Sequence, residues 1–134
     1  MAIYTALFVK DIGSLLKSFP PKHSRHFGHH STIAFNPPTI DGIEIGREGK
    51  LKIIGQAYDS KGDALLVESP RSKNAYPHIT LSCSPDTKPV YSNEMIEKAV
   101  LEKTVEYFAE PIWIDVVEGY SDGKQYFTTP ARPQ

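Results

Sequence analysis

Cysteine is nearly missing from this chain. Cys83 is the only one in 134 residues, so an intramolecular disulfide is impossible and nothing points to an oxidising compartment. A cytoplasmic location is the expectation. A charge of one sign is missing too: 15 basic residues against 16 acidic ones leave a net charge of -1. No overall field draws the chain to nucleic acid or to an anionic membrane, and any anionic ligand must be held locally. Nor does any apolar run approach the roughly 20 residues of a membrane span. The opening MAIYTALFVKD has no basic stretch before its short apolar run and no small-residue cleavage site after it. It reads as a strand, not a targeting signal. Low-complexity tracts and blocks of like charge are also lacking. With 40% hydrophobic and 23% charged residues, the composition is that of an ordinary globular protein. The length suits one domain over 1–134, ordered to 129 with a loose tail at 130–134.

Proline, by contrast, is plentiful at 11 residues, which suits many short connections. The stretch AIYTALFV reads as a buried strand. Asp11 can cap a helix carrying Ile12, Leu15, Leu16 and Phe19 at helical spacing until Pro20-Pro21 stops it. KHSRHFG is a loop, and STIAF a short strand ended by Asn36-Pro37-Pro38. KLKIIGQAY and DALLVES flank the turn Asp59-Ser60-Lys61-Gly62 as a hairpin. HITLSC is another strand. Ser92 or Asn93 can cap a helix beginning MIEKAV. TVEYF has an ambiguous pattern, and Pro111 marks a boundary. IWIDVVEGY and QYFTT around Ser121-Asp122-Gly123-Lys124 form a last hairpin, with Trp113 read as core. The expected class is α+β, with mixed or antiparallel sheets and two main helices.

Two junctions nearly repeat. His30-Ser31-Thr32-Ile33-Ala34 matches His78-Ile79-Thr80-Leu81-Ser82 as His-x-Thr, a large aliphatic and a small residue. Residues two apart in a strand share a face, so each His stands with its Thr while Ser31 and Ile33, or Ile79 and Leu81, point the other way. Adjacent strands of this kind gather two imidazoles and two hydroxyls. Phosphodiester cleavage requires a base and an acid, and histidine, with a reference pKa near 6.5, serves as either. Threonine hydroxyls can hold non-bridging phosphate oxygens. The chemistry asks for no metal. A competing reading takes His23, His26, His29 and His30 as a metal-binding tract, but no cysteine or carboxylate pattern completes that set. Cys83 is expected to be a buried thiol rather than a nucleophile.

These paired motifs resemble the 2H phosphoesterase superfamily, which includes LigT-like RNA cyclic phosphodiesterases and the cyclic phosphodiesterase modules of tRNA ligases. YTALFV, FPP, GHHSTIAFNP and AYPHITLSCSPDTKPVYSNEMIEKA are similar to 2H domains of Swiss-army-knife RNA-repair and tRNA-ligase-like proteins, covering most of residues 3 to 99. The resemblance implies a bilobal α+β fold with two sheets flanking a central cleft. It also implies metal-independent opening of 2′,3′-cyclic phosphates or cleavage of related linkages, with no cofactor. His30 and His78 match the catalytic histidines, and Thr32 and Thr80 the phosphate-binding hydroxyls. The positions just ahead of the two histidines, His29 and Pro77, depart from the apolar residue usual in the family.

Weaker assignments surround these four. Tyr4, on the first strand, and Tyr76, two residues before His78, are candidates to stack on a base, though core or surface tyrosine is the plainer reading. Arg25 and Lys73, in the loops leading into the motifs, are candidates to meet phosphate. His29 is expected on the opposite face from His30 or in the loop. The expected partner is an RNA 2′,3′-cyclic phosphate end or a cyclic nucleotide. Hydrolysis of signalling cyclic di- or oligonucleotides, and nucleotide binding without turnover, are the alternatives.

Overall fold

The computed structural model describes residues 2–129; the tail expected to be loose at 130–134 lies outside them. The chain runs β1 (Tyr4–Val9), α1 (Ile12–Ser18), β2 (Arg25–His26), β3 (His30–Phe35), β4 (Glu48–Tyr58), β5 (Gly62–Glu68), β6 (His78–Cys83), α2 (Tyr91–Leu101), β7 (Glu106–Ser121) and β8 (Tyr126–Phe127). The strands run β1-β3-β6-β5-β4-β7, and β7 returns to pair with β1. Every pairing is antiparallel. Six strands therefore close into a barrel, with β2 added on β6 and β8 on β7.

This overturns the expected bilobal α+β arrangement with two sheets flanking a cleft. The reason lies in β7, whose residues 112–117 pair with β4 while 116–121 pair with β1. One continuous strand thus belongs to what would have been two sheets, and closure leaves neither with a free edge. Pro111 does not end that strand. Ile53 faces Ile112 and Gly55 faces Tyr107, so residues 108–111 bulge out of the ladder, where proline's missing N–H costs no bond. The bulge sends Phe108 inward to stack on Phe19 at 5.7 Å. Trp113 lies on the outside, 58% exposed, and is not core.

Alternation along the strands builds two cores. Leu51, Ile53, Leu65, Val67, Ile79, Leu81 and Val116 fill the barrel, and Leu15 and Phe19 of α1 pack on the same cluster. Asp11 caps α1 as expected, its carboxylate accepting from the Ser14 amide at 3.0 Å. On the outside, Ala57, Ala64 and Leu66 meet Met95, Ile96 and Ala99 of α2. Neither expected cap starts α2: the helix begins after Val90 with no side-chain cap, and Ser92 is turned toward β6 instead.

Each end of the barrel buries a carboxylate. At the α1 end Asp63 accepts from Gln56 Nε2 at 2.8 Å, Ser82 Oγ at 3.0 Å and the Lys22 amide at 3.2 Å. His23, from the candidate metal tract, is spent beside it, its Nε2–H reaching the Asp59 carbonyl at 2.8 Å. At the far end Glu118, 1% exposed, is gripped by both arms of Arg71 and accepts from the Glu44 amide at 2.6 Å. Burial alone would raise the Glu118 carboxyl, but the Arg71 and Glu44 hydrogen bonds hold it below the usual carboxylate range. The loop from 36 to 47 is thereby tied over that end.

Replacing Asp63 by Ala leaves the buried Ser82 hydroxyl and two partly buried donors, Gln56 Nε2 and the Lys22 amide, unanswered, and a loss of roughly 2–4 kcal/mol is expected in urea unfolding. Asp63→Asn, which keeps an acceptor, is expected to lose less; equal losses in the two variants would count against this account.

Candidate functional site

The seam between β3 and β6 builds the site. β2 runs alongside β6, with Arg25 opposite Cys83 and His26 opposite Ser82. The ladder continues through Phe27 N–H to the Leu81 carbonyl at 2.7 Å and Gly28 N–H to the Thr80 carbonyl at 2.8 Å. It resumes with Ser31 opposite Ile79. Six steps on one strand, 25 to 31, thus answer four on the other, 83 to 79. Gly28 absorbs the mismatch at φ 83°, a region where a side chain is strained. A Cβ there would also lie 3.1 Å from Leu16 Cδ2.

The register then decides the chemistry. Ser31, Ile33, Ile79 and Leu81 are 0–5% exposed and lie away from solvent, so the residues between them face outward. One step either side of the Ser31–Ile79 pair brings His30 beside Thr80 and Thr32 beside His78. All four motif residues share one outer face. The two imidazoles are close enough for the charge of His78 to act on His30.

Their surroundings differ. His78 donates from Nδ1 to the Tyr76 carbonyl at 2.8 Å, which leaves the Nε2 lone pair for a ligand when the ring is neutral. His30 stacks on Tyr4 at 4.6 Å and 16° and tilts against Phe8 at 5.8 Å. Its buried Nδ1 has no hydrogen-bond partner among the described residues. Burial, followed by the charges of His29 and His78, pushes His30 down to about 4. Burial also lowers His78, opposed by the Tyr76 carbonyl. Both rings are therefore mostly neutral at pH 7, and an anion between them would raise both.

The flanks come from distant segments. α2 supplies Ser92, 1% exposed, whose hydroxyl meets that of Thr80 at 2.8 Å. If Ser92 donates in that pair, the Thr80 proton faces only the long contact to the Pro89 carbonyl at 3.5 Å, which a ligand oxygen can replace. On the other side the hairpin of β7 and β8 folds across the sheet. The Phe127 carbonyl oxygen sits 2.1 Å from where a Cβ on Gly119 would be, so only glycine admits this crossing. Tyr126 thereby reaches Phe8 at 5.0 Å and His29 at 6.1 Å, with its hydroxyl 3.3 Å from His29 Nδ1. His29 lies in the segment between β2 and β3, the loop placement that was one of the two expected, and its ring meets Tyr126 beside the face that carries His30.

The other expected site residues have the following surroundings. Tyr4 lies against His30, its phenol pushed up to about 12 chiefly by burial. Tyr76 packs against the α2 cluster and serves His78 through its carbonyl. Arg25 is engaged by the Thr87 carbonyl at 2.8 Å and the Pro85 carbonyl at 3.4 Å, and lies over the Phe27 ring at 5.6 Å. It holds the turn leading to α2. Lys73 lines a different cavity, about 510 Å³, with Thr5, Ile33 and Arg71. Cys83 is buried on β6. Among the described residues no three His, Cys, Asp or Glu side chains converge as metal ligands, and no helix is long and apolar enough to cross a membrane.

Sequence reasoning missed Ser92 and Tyr126. Ser92 was legible only as a helix cap, and Tyr126 lies 97 positions from His29 with no motif to mark it. The chain matches no protein-family model, and no curated protein matches it.

Two measurements follow from the depressed imidazoles. The unfolded chain, with His near 6.5, binds more protons than the folded one between pH 6.5 and about 4. Stability therefore falls as pH drops through that window, on the order of 3 kcal/mol in all from His30, with no contribution above it. By NMR, His30 and His78 are expected to titrate below their ordinary range, and inorganic phosphate to move both midpoints upward. Midpoints indifferent to phosphate would show that this face holds no anion.

Proposed function

We propose that this protein is a phosphodiesterase that opens nucleotide or RNA-end 2′,3′-cyclic phosphates by two-histidine acid-base catalysis. One observation carries the reading: the single Ser31–Ile79 register sets each histidine beside the other motif's threonine on one outward face. The resemblance to 2H phosphoesterases lends these residues the same roles. The proposal rests on this local arrangement and not on a bilobal fold.

In the reaction, a neutral imidazole takes a proton from water as the water oxygen attacks phosphorus. The bond from phosphorus to one ribose oxygen breaks, and the other imidazole, protonated, gives that oxygen its proton. The net change is addition of one water to give a phosphomonoester. For His78 the transferring atom is Nε2, because Nδ1 is committed to the Tyr76 carbonyl at 2.8 Å. Thr32 and Thr80 donate to the non-bridging oxygens, holding the group in line and countering charge in the transition state. The substrate's negative charge offsets the burial that keeps the imidazoles neutral, so binding itself helps to protonate the acid. Both proton transfers are thus assigned to side chains of this chain.

Turnover is expected in excess chelator on a panel of 2′,3′-cyclic nucleotides, RNA with cyclic phosphate ends, and cyclic di- and trinucleotides, with phosphorus NMR identifying the product. His30→Ala and His78→Ala should each lower kcat by about 10²–10⁴-fold, the usual range for losing a general acid or base. Activity surviving in both variants, or no turnover across the panel, would reject the assignment.

A further inference from the structure

We propose that Tyr126, braced by His29 and Phe8, is the platform on which the substrate's nucleobase stacks beside the phosphate-holding quartet. This rests on the function proposed above and names the part of the substrate that lies outside the reacting phosphate. The two tyrosines that sequence reasoning offered for this role are otherwise engaged: Tyr4 is stacked on His30 at 4.6 Å, and Tyr76 packs with α2. Tyr126 remains 52% exposed. Phe8 backs it at 5.0 Å, and Phe8 also lies 5.8 Å from His30. The exposed ring is therefore separated from the proton-transferring imidazole by one side chain, a neighbourhood suited to the base of the nucleotide whose phosphate His30 meets.

Orientation is set in advance. The Tyr126 hydroxyl lies 3.3 Å from His29 Nδ1, and burial lowers His29 so that its ring is mostly neutral at pH 7 and can accept. The surface continues outward through Phe27, edge-on to His29 at 6.0 Å, to the Arg25 guanidinium 5.6 Å above the Phe27 ring. Aromatic faces beside a phosphate site favour stacking, which every base can supply. The platform is expected to accept purines and pyrimidines alike. Its position depends on the Gly119 crossing, where the Phe127 carbonyl occupies the place of a side chain.

The test compares adenosine 2′,3′-cyclic phosphate with 1-O-methylribose 2′,3′-cyclic phosphate, which keeps the reacting ring and lacks the base. Loss of one stacked base should raise KM about 5- to 150-fold. Tyr126→Ala is expected to raise KM for the adenosine substrate in that range with little change in kcat, and to leave the base-free substrate unaffected. Tyr126→Phe, which keeps the ring and loses only the contact with His29, should raise KM less than Tyr126→Ala. Equal losses on both substrates, or no loss on the nucleotide, overturn the platform. Equilibrium binding of adenosine 2′- and 3′-monophosphate, measured on the same proteins beside inorganic phosphate, separates this idea from the catalytic one. Tyr126-dependent binding without turnover supports the platform and rejects the catalysis; nucleotide binding no tighter than phosphate in the parent protein overturns the platform.

Discussion

The pairing of Ser31 with Ile79 is the constraint on which the rest of the molecule depends. Among the described residues it is the one register pair between β3 and β6, and it lies at the seam where the barrel closes. The neighbouring backbone bonds from Phe27 and Gly28 extend the seam, while Gly28 takes up the excess length at a positive φ. Because side chains alternate with a period of two, a one-residue slip here would turn Ile33, Ile79 and Leu81 toward water and the histidines into the apolar interior. The packing of the core thus enforces the register, and the register aligns the chemistry.

Polar groups on the two sides of the wall are treated differently. Inside, Asp63 and Glu118 are buried with several donors each, so each carboxylate ties loops to one end of the barrel. Outside, His30 and His78 are largely buried without an opposing charge of their own, and His30 Nδ1 has no hydrogen-bond partner among the described residues. Carboxylates matched to their donors stabilise the fold. Imidazoles pressed toward neutrality beside unsatisfied polar atoms are a cost that a bound anion can repay.

The repeated His-x-Thr pattern made this face legible, since residue identity and the strand period require only that the two strands be neighbours. The same local logic found the β4–β5 hairpin, the Asp11 cap and the stop of α1. It failed where an outcome depended on what lay alongside. Pro111 marked a boundary by its own chemistry, but a bulge against β4 made its missing donor harmless. Trp113 sat in an apolar run, yet pairing with both β1 and β4 had already set which side of β7 was interior. Ser92 had the chemistry of a cap and instead lies inside the helix, facing Thr80.

From the sequence alone came the strand faces, the pairing of each histidine with its own threonine, and the absence of any disulfide. Those properties are local, governed by neighbours two to four residues apart. The closed barrel and the approach of Ser92 and Tyr126 were decided only by the tertiary structure. Each depends on one segment lying against another far along the chain, as Tyr126 does against His29 across 97 positions, and no local periodicity encodes such a meeting.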